Sequence, residues 1–194
     1  MTPEILAEFD SWLQEARDHG AIHEPTAMCL STCGSDGQPA GRIVLLKHHN
    51  ERGFVFFSNH ETSYKADDLA TNPHAALCFY WMPLTKQIRI EGRVEKIADE
   101  EADAYFASRP RGSQIGAWAS QQSRELKDRA TFEEIILANE QKFAGRDVPR
   151  PPYWSGWRVV PHRIEFWKER DSRLHDRWEY TLDDGVWDRR LLYP

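Results

Sequence analysis

The sequence is poor in everything that staples or anchors a chain. Three cysteines occur in 194 residues. Cys29 and Cys33 are four apart and Cys78 stands alone, so no Cys-x-x-Cys pair or tetrahedral zinc set with histidines at ligand spacing can be assembled. All three read as reduced, buried thiols. The longest aliphatic runs, Ile43 to Leu46 and Ile135 to Leu137, fall far short of the ~20 residues a membrane-spanning helix needs. No membrane association is expected. Gly-x-Gly-x-x-Gly and Gly-x-x-x-x-Gly-Lys-Ser/Thr are both missing, which closes the glycine-rich routes to a dinucleotide or a nucleoside triphosphate. Positive charge is not in excess either. With 25 Lys and Arg against 31 Asp and Glu the net charge is −6, the wrong sign for a nucleic-acid-binding face. The opening Met1-Thr-Pro-Glu-Ile-Leu-Ala-Glu8 lacks the basic start and apolar stretch of a signal peptide, so a cytoplasmic location is expected.

What the chain does contain is a core and an unusual distribution of cations. Its hydrophobic share of 40% and aromatic share of 12% suit a single domain over residues 1–194. At this length folding removes roughly 70% of the unfolded surface from water, so no staple is required. Its Lys and Arg residues gather in short groups beside aromatics, a pattern that favours a small anionic ligand over a polymer.

Periodicity orders the elements. Ile5, Leu6, Phe9, Trp12, Leu13 and Ala16 fall at helical spacing over residues 3–18, with Pro3 in the first turn and Gly20 just past the end. Strands are expected at 27–33, 42–48, 54–59, 75–80 and 87–97, the first three separated by the turn clusters Gly34-Ser-Asp-Gly37 and Asn50-Glu-Arg-Gly53, with a polar helix at 63–70 between the third and fourth. Short connections imply antiparallel neighbours, and hence a barrel or sandwich. Helical patterns follow at 99–107, 113–120 and 124–143, the last with Phe132, Ile135, Ile136 and Phe143 on its apolar side. Residues 146–152, with three prolines, read as a linker. Strands at 157–160, 163–167, 177–181 and 186–192 then complete the same sheet, with Asp183-Asp-Gly185 as a hairpin turn.

Three basic groups could do chemistry. In Ser108-Arg-Pro-Arg-Gly-Ser-Gln114, two arginines lead into a serine at a helix start, which makes a phosphate-sized site. Spacing alone favours the ordinary reading, an N-cap with solvated arginines. Arg173, His175 and Arg177 alternate along a segment entering a strand, which would put three basic side chains on one face and invite an anion. Arg42 and Lys47 bracket a strand but, five apart, face opposite sides of an ideal one. They can share a ligand only across a bulge or at a strand end, and the ordinary reading is two side chains snorkelling to water. Gln121-Gln-Ser123 offers neutral donors or a helix cap. Trp154, Trp157, Trp167, Trp178 and Trp187 read as core or interface aromatics, and His48, His49, His60, His74 and His162 as surface or turn residues without an acidic partner at ligand spacing.

Read together, these residues bring out a resemblance. Glu24-Pro-Thr-Ala-Met28, Arg42-Ile-Val-Leu-Leu-Lys47, Ser108-Arg-Pro-Arg-Gly-Ser-Gln-Ile-Gly-Ala-Trp118, Gln122-Ser123, Trp154-Ser-Gly-Trp157, Ile164-Glu-Phe-Trp167 and Arg173-Leu-His-Asp-Arg177 occur in an order that resembles the pyridoxine/pyridoxamine 5′-phosphate oxidases nearly end to end. The resemblance implies an α+β fold, mainly β with helices: an antiparallel split β-barrel of the FMN-binding type, homodimeric, with FMN in clefts at the subunit interface. It implies an FMN site at Arg42, Ile43, Val44, Leu45, Leu46, Lys47, Phe57, Ser58, Lys65, Gln87, Gln122, Ser123, Trp167 and Arg177. Lys47, Tyr105, Arg109 and Ser113 would surround the substrate phosphate, and Arg173, Leu174 and His175 would lie near the pyridine ring, with Arg173 and His175 as the catalytic edge.

The reaction so implied takes a hydride from the 4′ carbon of a B6 vitamer phosphate to flavin N5, yielding pyridoxal 5′-phosphate, and dioxygen reoxidises the flavin to give hydrogen peroxide. The alternatives are a split-barrel flavin-binding protein or reductase without oxidase activity, and a non-catalytic pyridoxal phosphate-binding module. Both leave the motifs at 105–113 and 173–175 without a use. One departure stands out. Where the family usually carries Ser-Arg-Lys, this chain has Ser63-Tyr64-Lys65, preceded by a loop one residue longer. A neutral phenol in place of a charged fork costs about 1–2 kcal/mol if the contact is direct, so weaker FMN retention is expected.

Overall fold

The computed structural model describes residues 1–194. Helix α1 (Pro3–Asp18) begins where the sequence places it: the Thr2 side chain accepts from the Ile5 amide and proline occupies the first turn, where its missing N–H costs nothing. Eight further elements make the first half of the sheet and its surroundings: β1 (Ala27–Cys33), β2 (Pro39–Leu45), β3 (His48–Asn50), β4 (Gly53–Asn59), α2 (Tyr64–Thr71), β5 (His74–Trp81), β6 (Lys86–Lys96) and α3 (Asp99–Ser108). Then come α4 (Arg111–Ala119), α5 (Arg129–Lys142), β7 (Trp154–Lys168), β8 (Asp176–Asp183) and β9 (Val186–Leu191).

All nine strands belong to one antiparallel sheet, with the path β2-β1-β5-β6-β7-β4-β3, β8 attached beside β7, and β9 beside β8. The two ends of that path, β2 and β3, are consecutive in sequence. Between them the chain turns a corner: the Leu46 amide donates to Thr26 O on the β1 side, and the Lys47 amide donates to Val55 O on β4. This corner closes the barrel. It also resolves the Arg42 to Lys47 problem, because the expected strand over 42–48 is two strands, 39–45 and 48–50, joined by a bend.

Strand β7 is where the barrel splits. One edge pairs with β6 through residues 157–168; the other pairs with β4 through residues 154–159 and with β8 through 163–168. The expected strands at 157–160 and 163–167 are therefore one element. Pro161 and a register shift opposite Glu91 and Gly92 interrupt the pattern without ending the strand. Glycine is required there, since a Cβ on Gly92 would sit 2.2 Å from the Val160 carbonyl oxygen.

The core fills the barrel under α1. Phe9 lies edge-on to Phe54 at 4.9 Å and to Phe79 at 5.6 Å, and Trp12 lies edge-on to Phe166 at 5.2 Å. Each fully buried ring of this kind stabilises by about 1.5–3 kcal/mol. Phe106, Ile115, Phe143, Val148 and Trp154 form a second, smaller cluster beneath α3 and α4. Helix α5 differs from expectation. It starts at Arg129, capped by Asp128, and of its expected apolar side only the flanking Phe143 is buried, with Ile135 exposed. The proline-rich stretch 146–152 is pinned rather than free, because Arg150 bonds Asp99 and Asp103 and the Trp118 indole donates to Pro149 O.

Candidate functional site

A cleft of about 880 Å³ opens along the β2 edge, walled by the Arg42–Lys47 corner, the end of β4, the start of α2, and the 105–123 region. No aspartate or glutamate lines it. Cations occupy two parts of it, with Val44, Leu45 and Phe57 among the apolar groups of its wall.

The first cationic group centres on Lys65, which the opening turn of α2 turns inward. Its Nζ donates to Ser58 Oγ and to Gln122 Oε1, both at 2.8 Å, and both acceptors are neutral. Burial, assisted by the nearby Arg42 charge, lowers its pKa from 10.5 to about 8. Arg42 donates to the Thr32 hydroxyl and the Leu30 carbonyl and lies 3.8 Å from Asp68. Ser123 beside Gln122 has a left-handed backbone, φ 68°, an uncommon conformation for a residue with a side chain.

The second group centres on Arg109, immediately after α3. Its guanidinium lies over Trp154 at 4.8 Å and Phe106 at 5.5 Å. Its Nη1 is buried and donates to nothing, and burial lowers its pKa. Tyr105 stacks on Phe57 at 3.9 Å, and burial raises its phenol pKa against the opposing pull of Arg109. Ser113, in the first turn of α4, and Lys47, at the barrel corner, line the same cleft.

Thirteen of the expected residues thus meet in one place: Arg42 to Leu45, Lys47, Phe57, Ser58, Lys65, Tyr105, Arg109, Ser113, Gln122 and Ser123. Leu46 does not, because the corner turns it into the barrel core. Gln87, Trp167, Arg173, Leu174, His175 and Arg177 do not line the cleft either. Gln87, Trp167 and Arg177 are cross-strand neighbours on β6, β7 and β8, with the His175 ring 4.6 Å from Trp167, while Arg173 and Leu174 lie in the turn that precedes β8.

The one-face expectation for Arg173, His175 and Arg177 fails for a local reason. Residues 171–173 form a 3-10 turn with Ser172 at φ 57° and Arg173 at φ 62°, and β8 begins only at Asp176, so strand alternation reaches Arg177 but not Arg173 or His175. Nor is Arg177 left as an uncompensated charge. Arg177 Nε donates to Glu165 Oε1 at 2.7 Å, and the same carboxylate accepts from Arg89 at 3.0 Å. Sequence reasoning missed Glu165, since its role depends on cross-strand register, and it missed the His49 contact with Asp10, 39 residues away. Trp154 and Asn59 also line the cleft; Trp154 opens the Trp154-Ser-Gly-Trp157 motif but reads there as a core or interface ring, and Asn59 carries no local pattern that would mark it.

Comparison with known proteins bears on both groups. Residues 14–141 match the family described as pyridoxamine 5′-phosphate oxidase. Residues 154–194 match the pyridoxine 5′-phosphate oxidase C-terminal dimerisation region. A pyridoxine/pyridoxamine 5′-phosphate oxidase of Myxococcus xanthus is 53% identical over 99% of this chain and 92% of its own. Its namesake from Synechocystis is 51% identical over 97% and 87%. Among solved structures, PhzG from Burkholderia lata 383, in complex with tetrahydrophenazine-1-carboxylic acid, superposes with a TM-score of 0.91 at 30% identity, over 100% of this chain and 98% of that one. A pyridoxamine 5′-phosphate oxidase-related, FMN-binding protein of Nostoc punctiforme has the same fold, with a TM-score of 0.78 at 19% identity over 100% and 98%.

Proposed function

The chain belongs to the pyridoxamine 5′-phosphate oxidase family, and we propose that it oxidises pyridoxamine 5′-phosphate or pyridoxine 5′-phosphate to pyridoxal 5′-phosphate with FMN, as a homodimer. The observation that carries this reading is a cleft with two cationic groups and no carboxylate in its wall. A buried ammonium facing only neutral acceptors and a buried guanidinium nitrogen with no acceptor are both costly arrangements. A phosphate ester at each removes that cost, and FMN and a B6 vitamer phosphate bring one each.

The donor set fits the cofactor. Arg42, Lys65, Ser58, Gln122 and Ser123 would hold the flavin phosphate, with Ile43 to Leu45 and Phe57 along the wall. When bound, FMN supplies a two-electron acceptor for the hydride leaving the substrate 4′ carbon, and dioxygen takes those electrons on as hydrogen peroxide. Lys47, Tyr105, Arg109 and Ser113 would grip the substrate phosphate, and that grip sets how far the pyridine ring reaches. The stacked rings of Phe57, Tyr105 and Trp154 keep water from that end and strengthen the charged contacts made there.

Arg173 and His175 would come to this cleft from the second copy, together with Gln87, Trp167 and Arg177. What supports this is that all but Gln87 fall within the matched dimerisation region and that none lines the cleft of its own chain. His175 Nδ1 accepts from the Arg170 amide at 3.3 Å, so the neutral ring carries its hydrogen on Nε2. Nε2–H is then the hydrogen-bond donor that His175 would offer the 4′ substituent, which Arg173 would orient. Purified protein should be yellow and should bleach anaerobically on adding either vitamer phosphate. A colourless protein, or one that stays yellow, overturns the reading.

A further inference from the structure

Helix α2 presents two different faces to its surroundings. Lys65 points into the cleft, whereas Tyr64, at the rim of the same cleft, and Asp67, three residues on along the same turn, are 62% and 51% exposed. Arg124 is caught on that outer face. Its Nη2 donates to the two Asp67 carboxylate oxygens at 3.2 and 3.5 Å, and its guanidinium lies 6.0 Å from the centre of the Tyr64 ring.

Arg124 belongs to the exposed segment joining α4 to α5, which also carries Gln122 and the left-handed Ser123. Within that segment the Arg124 amide donates to Gln121 O, a single tight turn. Two side-chain tethers hold the turn over Lys65: Gln122, accepting from Lys65 and Ser58, and Arg124, reaching back to α2. An anion that draws the Lys65 ammonium to itself loosens the first tether. The second is independent of Lys65.

We propose that Arg124 is a positioning residue for the flavin phosphate, latching the Gln122-Ser123 turn over Lys65 through Asp67 and the Tyr64 ring. The proposal rests on reading the Lys65 end of the cleft as the flavin phosphate site. Tyr64 is then the flat seat of an arginine delivered from elsewhere in the chain, rather than a site where a charge is lacking.

The test is titration of the apoprotein with FMN, followed by quenching of flavin fluorescence. Failure of the unaltered apoprotein to bind FMN would reject the phosphate-site reading itself. Given that binding, Arg124→Ala and Asp67→Asn should each weaken FMN by about fivefold. The double variant should be no weaker than either single one, and Arg124→Lys should recover part of the loss. The apoprotein melting temperature should not move, because the latch lies at the surface. An Asp67→Asn variant that binds FMN as well as or better than the parent, or additive losses in the double variant, would overturn the latch.

Discussion

The cleft and the outward face of β6, β7 and β8 both set arginine beside aromatic rings, yet their charges are compensated in opposite ways. On the sheet face, Glu165 accepts from Arg89 and Arg177, and Glu179 accepts from Arg190 at 2.7 Å, with both carboxylates buried. In the cleft, Lys65 meets only neutral oxygens and one Arg109 nitrogen meets nothing. Compensated charge on a sheet holds strands in register and fixes the side chains it carries. Uncompensated charge in a cavity waits for a ligand.

The contrast can be broken at the sheet first. Glu165→Gln should destabilise the fold by about 2–4 kcal/mol in denaturant unfolding, because it leaves Arg89 and Arg177 without their shared buried carboxylate. A loss below about 1 kcal/mol would mean that the network is surface decoration. Next in size, Arg173→Ala should slow anaerobic flavin reduction by about a hundredfold while leaving FMN affinity intact, as expected of a group that only orients the substrate. Normal reduction by pyridoxine 5′-phosphate in that variant would remove Arg173 from the reacting edge.

Arg109→Met should raise KM for the vitamer phosphate by about thirtyfold, the worth of a charge-assisted contact, while the apoprotein becomes no less stable. The opposite pairing, an unstable apoprotein with normal KM, would make Arg109 a structural residue. The smallest effect concerns pH. In the apoprotein Lys65 releases its proton near pH 8, whereas the unfolded chain holds it to about 10.5. Between those values the unfolded state binds more protons, so apoprotein stability should rise with pH. A phosphate prefers the ammonium form, so FMN affinity should fall as pH rises above about 8, by at most tenfold per unit. An affinity that stays flat across that window would place the phosphate away from Lys65.

Much of the site was legible because it is built from runs. Arg42 to Lys47 and Ser108 to Gln114 contribute their cations as short contiguous segments, and the fold brings both to one cleft. Leu46, in the middle of such a run, points away from the cleft because the corner at 46–47 alternates its side chains between cleft and core. Strand β7 looks like two strands in a local window because proline and a bulge resemble a break, although β6 pairs across both. Period-two spacing puts Arg173 on a strand face, and its left-handed backbone cancels that placement.

By itself the sequence determined α1, through its Thr2 cap, Pro3 and helical apolar spacing, and the last hairpin, where Asp184 and Gly185 take φ 45° and 80° as a tight two-residue turn requires. These are local outcomes, set by caps, periods and backbone freedom within a few residues. Only the tertiary structure decided which cations would go unpaired. Glu165 reaches Arg89 across a strand pair 76 residues apart in sequence, whereas closure of the barrel at Leu46 and Lys47 leaves Lys65 and Arg109 in a cleft with no acid in its wall. Charge compensation depends on register and closure, and neither is encoded in any short stretch of chain.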